Sequence, residues 1–245
     1  MNELVHLAEF RSILDSYKLS AESKKILTQT KLALMLAPTS SGRNTIIKKL
    51  VAAGDYEFIV SDTTRKPRIN NGVLEKSGVE YWFRDEADML ADLKVGKLLE
   101  AEIIHKGWVS GISMREIKKA TDHHKIAITD IDLVGTQNIL EAKKDTVPIL
   151  VLPPNFEEWQ KRIAGRGEMH EREFQRRLET ACTIFKEALS TDYLLFVIND
   201  DLAEAVAYTD QVVKSGPDSD KQAAGRELVA RLLQQTEEFL ATKQI

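Results

Sequence analysis

Five short apolar runs, Leu32 to Leu36, Phe58 to Val60, Ile126 to Thr129, Ile149 to Leu152 and Leu194 to Ile198, alternate with longer helical stretches. Runs that are apolar at almost every position suit strands covered on both faces, as in parallel sheets whose crossover helices pack on either side. The alternation of strand and helix therefore predicts an α/β fold. With 245 residues, 43% of them hydrophobic, the chain can bury such a core. A helical pattern over residues 3 to 29 precedes the first run, with Leu7, Phe10, Ile13, Leu14 and Tyr17 on one stripe and a second short turn at Ala21 to Leu27.

The rhythm breaks between Ser61 and Ser113, where a turn-rich piece (Lys66 to Gly72), a short aromatic strand (Tyr81 to Phe83) and one helix near Asp85 to Lys94 predict an inserted subdomain. After Pro153 and Pro154, two helices flank a hinge of Gly165, Arg166 and Gly167. The second is amphipathic through Phe174, Leu178, Ala181, Cys182, Phe185 and Leu189. Ser215 to Asp218 reads as a linker, and a last helix from about Lys221 to Thr242 carries Leu228, Val229, Leu232, Leu233, Phe239 and Leu240.

Charge narrows the function. Lys and Arg number 34 against 38 Asp and Glu, a formal charge of −4, which disfavours a broad grip on nucleic acid or an anionic membrane. Any bound anion must meet locally clustered cations. The single cysteine, Cys182, allows no internal disulfide and no cysteine-based metal site. No apolar run is long enough to span a bilayer, and the start Met1, Asn2, Glu3 lacks the basic stretch of a signal peptide, so the expected location is cytoplasmic.

The first strand runs into a small-residue turn and then a helix, the layout of a phosphate-binding loop. Such a loop wraps an anion in backbone N–H groups, while a lysine reaches the terminal phosphates and a hydroxyl holds Mg²⁺. Against G-x-x-x-x-G-K-[ST], Ala37 replaces the first glycine, Arg43 the lysine and Asn44 the hydroxyl residue; Gly42 is kept, and Thr45 follows one position late. A plain strand, turn and helix with Ser40 or Ser41 as cap also fits this segment.

Further blocks follow: Ser61 to Arg68, Gly78 to Phe83, Leu98 to Ala101, Thr129 to Gly135, Leu152 to Pro154, Arg162 to Gly167, Arg176 to Leu178 and Asn199 to Leu202. In their order and approximate spacing they resemble guanylate kinase, over about residues 32 to 213. The resemblance implies a P-loop nucleoside monophosphate kinase fold: a parallel five-stranded sheet flanked by helices, with an inserted acceptor-binding subdomain (61–113) and a helical lid (155–190) in a domain spanning 31–213. Helical extensions at 1–30 and 214–245 lie outside it. Their apolar stripes leave open packing on the sheet, on each other or across a dimer.

Phosphoryl transfer gathers negative charge, so its catalysis is positioning and neutralisation. Arg65 and Arg68 flank Pro67, and guanidinium forks there suit phosphate oxygens; the resemblance makes them the clamp on the GMP phosphate, with Tyr81. It assigns Ser61 and Glu100 to guanine, whose N1–H and 2-amino group a carboxylate accepts. The block from Gly107 to Ser113 matches loosely, with Ser110 where a phosphate-binding tyrosine is expected and Ile112 in place of a hydroxyl; either Trp108 takes over part of the contact or the acceptor site is weaker.

Asp130 and Asp132, two apart after a strand, share a face. The resemblance puts Asp130 near the acceptor base and a Mg²⁺-bound water, with Asp132 in support or as a helix cap. Asn44 is the other metal candidate. Arg162 and Arg166 fall four apart on one helix, with Arg177 on the next, like lid arginines closing over the transferring phosphate. Asn199 and Asp200 match the loop flanking adenine, completing an ATP site of Ser40, Ser41, Gly42, Arg43, Asn44 and Thr45. His123, His124 and His170 have no partner at ligand spacing and are assigned no metal.

The expectation is ATP- and Mg²⁺-dependent phosphorylation of GMP through a weakened donor loop. The alternatives are an impaired homologue that binds a nucleotide or phosphorylated partner, and a kinase for another small phosphorylated acceptor.

Overall fold

The structure is a computed structural model that describes residues 4–70, 72–165 and 171–243. The chain begins with α1 (Leu7–Leu14), α2 (Ala21–Gln29), β1 (Leu32–Leu36), α3 (Arg43–Ala53) and β2 (Tyr56–Phe58). There follow β3 (Asp62–Thr63), β4 (Ile69–Asn70), β5 (Val73–Leu74), β6 (Trp82–Phe83), α4 (Glu86–Lys94), β7 (Leu98–Ile104) and β8 (Trp108–Ser113). Then come α5 (Met114–Asp122), β9 (Ile126–Asp130), α6 (Leu133–Ala142), β10 (Val147–Leu152), α7 (Phe156–Ala164), α8 (Glu171–Ser190), β11 (Leu195–Ile198), α9 (Leu202–Ser215) and α10 (Ser219–Lys243). Among the described residues no helix is long and apolar enough to cross a membrane.

Five strands form the main sheet in the order β11-β10-β1-β9-β2, the α/β architecture anticipated from the apolar runs. β1 sits where its run predicts it, and all of its residues are buried. β2 begins earlier than expected. The Ile59 N–H still bonds the Ile128 carbonyl at 2.9 Å, but the Val60 N–H turns to the Glu116 carboxylate at 3.4 Å. Burial continues past the end of pairing. A four-stranded sheet, β6-β3-β8-β7, and the β4-β5 pair fill the interval read as an insertion.

The helix expected over residues 3 to 29 is two helices. Ser20 is extended (ψ 162°) and accepts the Ser23 N–H as cap of α2, while Tyr17 leaves the helical path. Its hydroxyl accepts the Leu98 N–H at 2.9 Å and donates to the Leu98 carbonyl.

The chain divides into two compact units. The first comprises Met1–Leu32, Gly54–Thr129 and Val134–Thr146. Its core packs Phe10 of α1 with Met89, Leu90 and Leu93 of α4, Leu98 of β7 and Val109 of β8. The Gly96 carbonyl accepts from the Ser20 N–H (3.1 Å) and the Ser23 hydroxyl (2.7 Å). Gly96 has φ +67°, and a Cβ there would stand 2.4 Å from Ser20 N, so glycine is what lets the N-terminal helices seat. Buried Asp62 holds Arg84 at 2.9 Å and Arg115 at 3.2 Å.

The second unit comprises Ala33–Ala53, Asp130–Leu133 and Val147–Ile245. Here β1 pairs in parallel with β10, and β10 with β11, in the registers Leu36↔Leu150 and Leu152↔Ile198. Parallel pairing brings the C-terminal ends of these strands, and the loops that leave them, to one edge. α10 covers β11: Gln222 accepts the Phe196 N–H at 2.8 Å and donates to its carbonyl at 3.0 Å. That satisfies an edge that would otherwise expose its ladder groups. Gly225 permits the approach, since a Cβ there would fall 2.4 Å from Phe196 Cβ.

Candidate functional site

In the second unit, β1 ends at Leu36 and the chain turns through Ala37 to Gly42 into α3. Ser40 (φ 63°) and Gly42 (φ 91°) both adopt left-handed conformations. Alternation of that kind turns successive N–H groups toward a common centre and makes a concavity for an anion. For a serine it costs about 1–2 kcal/mol, so the surroundings must enforce it. Three do. Trp159 Nε1 of α7 donates to the Thr39 carbonyl at 2.7 Å, and Arg177 of α8 donates to the Thr39 hydroxyl at 3.1 Å. The Asn199 amide, at the end of β11, donates to the Ser41 carbonyl at 2.7 Å. Within this brace the Ser40 and Ser41 hydroxyls are buried and have no hydrogen-bond partner. Two unmatched hydroxyls in a positive-φ turn suit an anion, and they fall where the substituted loop pattern was read.

Arg43 opens α3 but faces a carboxylate. Its Nη2 lies 2.6 Å from Asp130 Oδ2, and its Nε donates to Asn44 Oδ1 at 3.1 Å. Both residues put forward as metal ligands thus have an oxygen on Arg43. Among the described residues no cluster of three or more His, Cys, Asp or Glu could hold a metal. Mg²⁺ carried on nucleotide phosphates needs no such cluster. Arg162 bonds Glu158 (3.1 Å) and the Asn199 carbonyl (2.9 Å), and Arg177 also pairs with Glu173. Asn199, expected beside adenine, is 6% exposed and braces the loop, whereas Asp200 is exposed. Thr45 is exposed in the first turn of α3. Arg166 lies outside the described residues.

Gly42 is the position least open to change. A Cβ there would come 2.0 Å from Asn199 Nδ2, and φ is left-handed as well. Gly42→Ala must strain the turn or expel the brace, so it is expected to cost about 1–2 kcal/mol, read in a melting curve as a fall of roughly 2–8 °C. An unchanged melting temperature would mean that the brace contributes nothing.

Of the acceptor candidates, Ser61, Arg65, Arg68, Tyr81, Glu100 and Ser110 fall in the first unit and Asp130 in the second. Arg65 is held by Glu75 through Nη1–Oε2 (2.9 Å) and Nη2–Oε1 (3.2 Å), and Nη1 also donates to the Lys66 carbonyl. Glu75 accepts the Arg68 backbone N–H at 2.8 Å as well, so one buried carboxylate holds the Arg65 guanidinium and the Arg68 main chain. The Arg65 guanidinium lies over Tyr81 (5.2 Å) and Phe83 (5.7 Å), and that of Arg68 lies over Trp108 (5.3 Å). Trp108 therefore supports a candidate phosphate arginine. The Ser110 hydroxyl bonds Thr63, Ile112 is buried, and the Ser61 carbonyl accepts from the Trp82 N–H.

Glu100 lines a cavity of about 870 Å³ with Tyr17 and Lys18 of the N-terminal segment and Asn138 and Glu141 of α6. Burial pushes the Tyr17 hydroxyl up from its ordinary pKa. Asp132 has partners of its own. Motif reasoning did not find Glu75, Thr39 or Trp159. Glu75 reaches Arg65 only through the β4-β5 turn, Thr39 falls at an unconstrained position of the loop pattern, and Trp159 reads as an ordinary apolar helix residue.

A family model described as Guanylate kinase matches residues 29–216. Guanylate kinase 1 of Arabidopsis thaliana is 35% identical over 170 residues, covering 68% of this chain and 43% of that protein. Guanylate kinase 1 of Oryza sativa is 34% identical over 74% of this chain and 47% of its own. The chain thus spans about half the length of these plant relatives. Guanylate kinase of Symbiobacterium thermophilum is 33% identical over 72% of this chain and 81% of its own. The crystal structure of guanylate kinase from Anaplasma phagocytophilum shares the fold, with a TM-score of 0.55 and 22% identity over 83% of this chain and 96% of that one.

Proposed function

Because the chain belongs to the guanylate kinase family, we propose that it transfers the γ-phosphoryl group of ATP to GMP, giving ADP and GDP. In that reaction a GMP phosphate oxygen bonds the γ-phosphorus as the bridge to the β-phosphate of ADP breaks. The observation that carries the reading is the braced turn from Thr39 to Gly42 with its two buried, unpartnered hydroxyls. A module that only gripped a phosphorylated partner at Arg65 and Arg68 has no need of it.

Ser40, Ser41 and the N–H groups of the turn bind the polyphosphate; Arg162 and Arg177 neutralise charge beside it. Mg²⁺, bound chiefly to the nucleotide phosphates, supplies further neutralisation. Asn44 and Asp130 are the residues available to its water shell, with Arg43 as competitor. Arg65, oriented by Glu75, and Arg68, whose main chain Glu75 holds, bind the acceptor phosphate, and Glu100 accepts from guanine.

ADP release with Mg²⁺, followed across GMP, dGMP, AMP, UMP and ribose phosphates, tests the reading. Turnover with the guanine nucleotides in preference to the others is the expected result. No turnover with any acceptor, together with a rise in melting temperature on adding GMP, overturns it in favour of a binding module.

A further inference from the structure

The last helix, α10, lies beyond the matched residues 29–216, yet it is fastened to the donor half at both ends. Near its start, Gln222 and Gly225 fix it to β11. Near its end, the Phe239 ring stands edge-on to Phe156 of α7 (5.8 Å between centroids) and to Phe174 of α8 (5.9 Å). Glu237 adds an ion pair to Lys186 of α8 at 2.8 Å.

From Phe239 the contacts lead inward. Phe156 packs on Trp159 at 6.0 Å, Trp159 packs on Phe185 of α8 at 5.9 Å, and the Trp159 indole donates to the Thr39 carbonyl. α8 reaches the same residue through Arg177 and the Thr39 hydroxyl. Phe239 therefore bridges the two helices whose side chains converge on the loop. Edge-to-face rings fix orientation as well as distance, so the bridge constrains how α7 sits on α8.

We propose that α10 is a positioning element of the donor site, in which Phe239 locks α7 to α8 so that Trp159 and Arg177 hold Thr39 and keep the loop in its anion-binding form. The ring itself touches no reacting group. The kinetic half of this inference rests on the kinase reading; the structural half does not.

Phe239→Ala and Phe239→Leu separate the two. Phe239 is only partly buried and near the end of its helix, so both variants should fold, which a melting curve checks. Hydrogen exchange of the ligand-free protein reads the loop without any turnover. Phe239→Ala is expected to speed exchange at residues 39–42 by roughly three- to tenfold and to raise KM for ATP by a similar factor. KM for GMP should stay within about twofold. Phe239→Leu, which keeps apolar bulk but no ring edge, should show the same changes to a smaller extent. Faster exchange confined to the end of α10, with loop exchange and KM for ATP at wild-type values, overturns the proposal and leaves Phe239 a local packing residue. If the wild-type protein turns over no acceptor, the kinase reading fails, while the exchange at residues 39–42 still decides whether α10 positions the loop.

Discussion

Arg43→Lys combined with Asn44→Ser is expected to raise kcat/KM for ATP by about tenfold. The guanidinium of Arg43 is drawn to Asp130 at 2.6 Å while its Nε occupies the Asn44 amide oxygen, so one side chain engages both residues nominated for the metal. A lysine is a compact point charge that cannot reproduce this two-sided contact, and a serine at 44 offers a hydroxyl suited to a hard cation. One preorganised electrostatic group in a phosphoryl or acyl transfer site is worth about 10²–10³ in rate. Only part should return, because Ala37 remains in place of the first glycine. Asn44→Ser alone should gain less, since Arg43 still covers the position. Steady-state kinetics at varied ATP and saturating GMP measure the effect. A fall in kcat/KM for the double variant would show that Arg43 itself grips the phosphates and that the loop is adapted to it.

The residues most readable in the sequence were those whose role is local. β1, β10 and β11 could be found because strands covered on both faces need apolar residues at nearly every position. In the small sheet the aromatic run at Tyr81 to Phe83 marked β6, whereas β3 has only two residues, too few for a period to register. β7 and β8 carry Glu100, Glu102 and Ser110, polar positions that break the apolar run. The second turn at Ala21 to Leu27 was legible, but the cause of the break before it was not, because Tyr17 is drawn to the backbone of Leu98, far along the chain. The site divides in the same way. Arg65 and Arg68 stand out through their spacing about Pro67, whereas Glu75, which holds the Arg65 guanidinium and the Arg68 backbone, depends on the pairing of Ile69 with Leu74. The loop pattern ranks glycines and a lysine. It says nothing of Thr39, on which a buried indole and an arginine meet.

Arg65→Ala is expected to raise KM for GMP by about 10- to 150-fold, the equivalent of one lost charge-assisted interaction of about 1.5–3 kcal/mol. The same substitution should also destabilise the fold, and the two effects need separating. The Arg65 and Glu75 side chains are 11% and 6% exposed, so removing the guanidinium breaks a buried ion pair. Breaking such a pair costs about 3 kcal/mol, or roughly 6–12 °C in melting temperature for a chain of this size. Glu75→Gln added to Arg65→Ala removes the carboxylate charge while an amide oxygen still accepts the Arg68 N–H. The double variant should therefore recover most of the lost stability, as replacing both members of a buried pair generally does. Its KM for GMP should stay high if the proposed clamp holds, because two N–H groups of Arg65 are not engaged by Glu75 or Lys66 and the proposed reaction uses them on the acceptor phosphate. If KM instead returns to the wild-type value along with the melting temperature, Arg65 serves only to neutralise Glu75, and the acceptor clamp loses its first member.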